Sequence, residues 1–166
     1  MLERRHTQGR LRASEPRRKA DWCDFTQDSG PRPGILIVDS SPEIRDLLEK
    51  LLPRHGLNVW IAGNCLQAVD IYWHAHSQIQ LVVLEADMPG IDGPQTLLAL
   101  RGIKPNVRCC FMSACQDKYT VADLISLGAA QTFVKPFRLS NFVHTLRQLA
   151  GLASPGAGPW LEPSSN

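Results

Sequence analysis

No stretch of this sequence approaches the roughly eighteen consecutive apolar residues that a bilayer-spanning helix needs, so nothing in it reads as membrane-inserted. The opening MLERRHTQGRLR lacks the apolar segment of a secretory signal, and a cytoplasmic location is the resulting expectation. No CxxC unit occurs among Cys23, Cys65, Cys109, Cys110 and Cys115. An odd number of unpaired cysteines points to free thiols rather than to a disulfide scaffold or a zinc site. The phosphate-cradling loops GxxxxGK and GxGxxG are missing, which argues against a nucleotide enzyme. GxSxG is missing too, so Ser113 has no hydrolase elbow around it, and no enzyme is expected. The formal net charge is only +2 over 166 residues, too small to imply nucleic acid by itself.

What is present is ordinary for a globular protein: 43% hydrophobic and 20% charged residues, in a length suited to one domain. The charge is unevenly placed. Arg4, Arg5, Arg10, Arg12, Arg17, Arg18 and Lys19 face only Glu3 and Glu15 in the first twenty residues. A solvated, disordered leader over residues 1–33 is the preferred reading, and a nucleic-acid-contacting arm is the alternative. The sequence PRPG at Pro31 to Gly34 interrupts any helix and marks the start of a folded unit over residues 34–152. Residues 153–166, rich in Pro, Gly and Ser, read as a flexible tail.

Inside the unit, short β-branched runs alternate with amphipathic stretches. Strands are expected at Ile35 to Val38, Asn58 to Ala62, Leu81 to Leu84, Val107 to Met112 and Thr132 to Val134. Ser41, Pro42 and Glu43 form a helix start, with Ile44, Leu47, Leu48, Leu51 and Leu52 on one face. Further helices are expected from Asn64 to His76, Gly93 to Arg101, Lys118 to Leu127 and Leu139 to Ala150, with Gly128 and Gly151 as stops. Strands and helices in strict alternation imply a parallel sheet with right-handed crossovers, an α/β three-layer sandwich.

In such sheets ligands sit beyond the carboxyl ends of the strands. The residues delivered there are Asp39, Ser40 and Ser41, then Glu85 to Gly93, then Ser113, then Lys135, Pro136 and Phe137. Carboxylates, a hydroxyl and an ammonium converging on one edge suit a phosphoryl group or its mimic.

The stretches ILIVDSSPEIRDLL, LVVLEADMPGIDG, FMSA and FVKPF resemble, in order and spacing, those of response-regulator receiver domains, over Ile35 to about Leu149. The resemblance implies a flavodoxin-like (βα)5 fold with sheet order 2-1-3-4-5. It also implies phosphorelay, or two-component, signalling. By position, it places Asp39 on the first of two acidic pocket residues and Ser40 on the second, which normally contacts Mg²⁺. Glu85 falls on the phosphoacceptor aspartate and Asp87 on a backbone metal contact. Ser113 falls on the switch hydroxyl, Thr132 on a switch position that is often aromatic, and Lys135, before an expected cis bond to Pro136, on the phosphate-pairing lysine.

Three departures therefore cluster in one site. Glu85 adds a methylene, roughly 1.5 Å of reach, which displaces the nucleophile from in-line attack. Ser40 removes an anionic oxygen, so Mg²⁺ binding is expected to weaken. Two readings of Glu85 stand side by side: it reaches Lys135 and Ser113 and mimics the phosphorylated state, or it merely pairs with Lys135. A phosphorylation-competent receiver using Asp87, Asp92 or Glu85 is a further alternative. The resemblance implies partners of the histidine-kinase, phosphotransfer or output class, met through the fourth helix, fifth strand and fifth helix. The same face is a candidate for homodimerisation. No output domain is expected after Leu149, so any effect is expected to run through another chain.

Overall fold

The computed structural model describes residues 32–114 and 118–152. The expected leader up to position 31 and the tail from position 153 lie outside the described residues, as do Cys23 and Cys115. The chain alternates β1 (Gly34–Val38), α1 (Pro42–Leu51), β2 (Asn58–Ala62), α2 (Cys65–Ala75), β3 (Ile79–Glu85), α3 (Gly93–Ile103), β4 (Cys109–Ala114), α4 (Val121–Ser126), β5 (Gln131–Lys135) and α5 (Leu139–Leu149), with a 3-10 turn at Leu52–His55 after α1. The strands form one sheet in the order β2-β1-β3-β4-β5, every pair parallel. The alternation implied a parallel three-layer sandwich, and the strand order is the flavodoxin-like one that the resemblance implied.

Helices α1 to α4 begin where the sequence offers a side-chain acceptor for the otherwise unpaired first-turn N–H groups, whereas α5 starts after Arg138 without one. The Ser41 side chain accepts from the N–H of Ile44, Asn64 from Gln67, Asp92 from Gln95 and Thr120 from Asp123. Gly56, at φ 79°, closes the turn after α1 in the left-handed region that glycine adopts without a Cβ penalty.

Strand residues alternate between two cores. Leu36, Val38, Val82, Leu84, Cys109 and Phe111 pack beneath α2, α3 and α4 with Tyr72, Leu97 and Leu124. Ile35, Ile37, Leu81, Val83, Cys110 and Met112 pack beneath α1 and α5 with Leu48, Phe142 and Leu146. The runs ILIV and LVVL are apolar throughout because both faces of the inner strands are covered.

Some expectations need correction. The fourth helix starts at Val121 rather than Lys118, because Thr120 and Asp123 form a reciprocal capping box that fixes its first turn. The fourth strand covers Cys109–Ala114 rather than Val107 to Met112, so Ser113 lies within the strand and not after it. Leu47, placed on the apolar face of α1, is exposed. Cys65, Cys109 and Cys110 are free, buried thiols, and burial pushes Cys110 up to about 12.

Candidate functional site

The carboxyl ends of β1, β3 and β5 bring Asp39, Glu85 and Lys135 together. The Lys135 Nζ donates to Glu85 Oε1 at 2.9 Å and to Asp39 Oδ2 at 3.0 Å, bridging the two carboxylates. Glu85 Oε2 accepts from the Ser40 backbone N–H at 2.8 Å and from the Ser40 hydroxyl at 2.5 Å. Asp39 Oδ1 accepts from the Ser41 N–H at 2.9 Å. Both oxygens of each carboxylate are thus engaged by donors of the chain itself.

The charges respond to opposing influences. Burial dominates at Asp39 and holds its carboxyl above the ordinary range, against the hydrogen bonds from Lys135 and Ser41 and with the Glu85 charge adding to the rise. Burial also acts upward on Glu85, but the hydrogen bonds from Ser40 and Lys135 outweigh it, and the Glu85 carboxyl stays below the usual range. Desolvation lowers Lys135, yet its two carboxylate partners win and hold the ammonium above its ordinary value.

The loop that carries Ser40 is braced by a residue whose role was missed in the sequence. Arg45, one turn into α1, donates through Nη1 to the carbonyls of Asp39 at 2.7 Å and Ser40 at 2.9 Å. Its guanidinium lies over Gly63, where a Cβ would sit 3.2 Å from Arg45 Cζ. The signal was present only as an arginine one helical turn after the Ser41 cap, which is indistinguishable from a surface charge until the loop is folded.

The other candidate positions are less closely joined. The Ser113 hydroxyl donates to the Ala114 carbonyl at 3.2 Å, not to Glu85. Among the described residues the buried Thr132 hydroxyl oxygen has no hydrogen-bond partner. Asp87 is exposed. Asp92 is buried, and its carboxylate is occupied by Gln95, Lys118 and Tyr119. The Lys135–Pro136 bond is cis, as expected.

Mg²⁺ requires a near-octahedral shell of oxygens, commonly one or two carboxylates with waters and phosphate. Asp39 and Glu85 supply two carboxylates, but every oxygen of theirs already has a donor, and Ser40 contributes a neutral hydroxyl. A divalent ion would have to displace Lys135 or Ser40 contacts, so the residues as arranged do not fit it. Among the described residues there is no group of three or more His, Cys, Asp and Glu side chains placed to hold a metal.

A doubly wound parallel sheet of order 2-1-3-4-5 with a lysine-bridged carboxylate pair at its carboxyl edge defines a class, and comparison with known proteins identifies it. Residues 35–147 match the family model of the response regulator receiver domain. The chain belongs to that family. It is 32% identical over 120 residues to Sporulation initiation phosphotransferase F of Bacillus subtilis, an alignment covering 72% of this chain and 95% of the relative. It is 28% identical over 125 residues to Response regulator MprA of Mycobacterium sp. (strain KMS), where 75% of this chain aligns with only 54% of the relative. Among solved structures, response regulator TrrA from Thermotoga maritima in complex with Mg²⁺ and BeF is similar with a TM-score of 0.61 and 27% identity, covering 70% of this chain and 98% of that one. Among the described residues no helix is long and apolar enough to cross a membrane.

Proposed function

We propose that this chain is an atypical receiver that works in phosphorelay signalling by protein–protein interaction, with Glu85 standing where the phosphorylated aspartate normally stands. The observation that carries the reading is the state of the Glu85 carboxylate: one oxygen lies on the Lys135 ammonium at 2.9 Å and the other on the Ser40 hydroxyl at 2.5 Å. A carboxylate so engaged, and longer by one methylene than aspartate, is poorly placed for in-line attack on phosphorus. Ser40 in place of an acidic residue weakens Mg²⁺ binding, and with it the share of charge neutralisation that the metal supplies in phosphotransfer.

Of the two readings of Glu85, the internal pair with Lys135 has the better support. Mimicry of a phosphoryl group calls for contacts with both Lys135 and Ser113, and Ser113 turns to Ala114. The partners proposed are a histidine kinase, a phosphotransfer protein or an output protein. The docking face proposed runs along α4, β5 and α5, where Val121, Ile125, Val134 and Leu139 are exposed, and a homodimer through this face is proposed as well.

The test is incubation with Mg²⁺ and acetyl phosphate or phosphoramidate, followed by intact-protein mass spectrometry beside a control receiver that labels. The expected result is no added phosphoryl mass on this chain. A hydroxylamine-labile adduct would overturn the reading and require mapping of Glu85, Asp87 and Asp92. Glu85→Asp is the next protein to test: labelling of that variant would show that the extra methylene alone blocks the chemistry.

A further inference from the structure

The loop after β3 and the loop after β4 meet at Asp92. Its Oδ1 caps α3 by accepting from the Gln95 N–H at 3.0 Å. Its Oδ2 accepts from Lys118 Nζ at 2.5 Å and from the Tyr119 hydroxyl at 2.7 Å. The Asp92 side chain is 4% exposed, whereas that of Lys118 is 58% exposed. Lys118 Nζ also lies 4.8 Å from the centre of the Tyr119 ring, and Tyr119 packs against the core beneath α2, α3 and α4.

Both donors directly precede Thr120, the residue that caps α4. Whatever holds Lys118 and Tyr119 therefore positions the residue that caps α4. That helix spans only Val121–Ser126 and buries a single side chain, Leu124, while Val121 and Ile125 face solvent. A helix so short has little stability of its own, and an element with few buried contacts opens first. A charge-assisted tie at its entrance consequently matters more than the same tie would on α1 or α5.

We propose that Asp92, Lys118 and Tyr119 form a latch that pins residues 118–120, at the entrance to α4, to the start of α3, and so fixes α4 and its exposed apolar side chains in one arrangement. The latch uses no atom of the Glu85, Lys135 and Asp39 cluster. It stands or falls independently of how that cluster handles phosphate.

Amide hydrogen exchange on the full chain tests it, comparing the natural protein with Lys118→Met, Asp92→Asn and the double variant. Asparagine keeps an acceptor for the Gln95 N–H, so the α3 cap survives, and Lys118→Met leaves that cap untouched. In either single variant the amides of Leu124 to Leu127 are expected to exchange about tenfold faster. Amides of α2 are expected to stay within roughly twofold of the natural protein, because sub-global opening is confined to its own unit. The double variant is expected to match Asp92→Asn, since that single already removes the acceptor of both Lys118 and Tyr119. Unchanged α4 exchange in Lys118→Met overturns the latch. So does an equal rise in α2, which would mean general destabilisation, or a double variant whose effect is the product of the singles.

Discussion

Burial raises Asp39, the Lys135 and Ser41 donors oppose that rise, and the Glu85 charge reinforces it. A folded-state pKa above the unfolded 3.8 means the folded chain binds the proton more tightly, so the stability from this group is present below that value and lost as pH rises through the folded one. Asp39→Asn, which leaves Lys135 paired with Glu85, is therefore expected to raise stability modestly at neutral pH. The gain should disappear below 3.8, where aspartate is neutral in both states. Glu85 carries the opposite sign. Its lowered pKa contributes stability above the unfolded 4.5, lost as pH falls through the folded value, so Glu85→Gln is expected to cost about 1–2 kcal/mol at neutral pH. Urea unfolding of the two variants at neutral and acid pH checks both signs, and a gain for Asp39→Asn that persisted in acid would trace to packing rather than charge.

Two glycines of α3 separate what a helix requires from what its neighbours require. A Cβ on Gly93 would lie 2.3 Å from the Glu85 carbonyl oxygen and 3.0 Å from Phe111 Cε1, so α3 sits directly on the backbone of residue 85. A Cβ on Gly102 meets nothing within 4 Å. Gly93→Ala is expected to lower stability by about 2–4 kcal/mol through overpacking, and Gly102→Ala to raise it by about 0.5–1 kcal/mol through helix propensity. Urea midpoints measure both, and equal shifts would remove the close approach as the explanation. The sequence made such elements legible where periodicity and a cap agreed, as at Ser41, Asn64 and the Gly93–Pro94 start. It misplaced the start of α4 because the Thr120–Asp123 capping box was passed over, and the contacts that hold Lys118 and Tyr119 lie on Asp92, far along the chain. Asp39, Glu85 and Lys135 were readable from their places at strand ends. Arg45 and the Asp92 cluster were not, since no spacing announces a contact that exists only after two loops meet.

Both cores rest on the same sheet, and β1 feeds each of them, Leu36 and Val38 to one side and Ile35 and Ile37 to the other. The folded unit is expected to unfold in one step, with far-ultraviolet dichroism and tryptophan fluorescence falling together. Leu36→Ala and Ile37→Ala, neighbours on opposite faces, are each expected to cost about 2–5 kcal/mol without separating the two signals. A variant in which they separate would show that the layers melt independently. The carboxyl edge of that sheet also constrains which substitutions the molecule can accept. Ser40 Oγ lies 2.5 Å from Glu85 Oε2, and an aspartate at position 40 would set carboxylate against carboxylate, which cannot both stay ionised at such range. Serine at 40 and glutamate at 85 are thus coupled through one contact: Ser40→Asp alone is expected to destabilise the protein, and to do so less when Glu85 is shortened to aspartate as well.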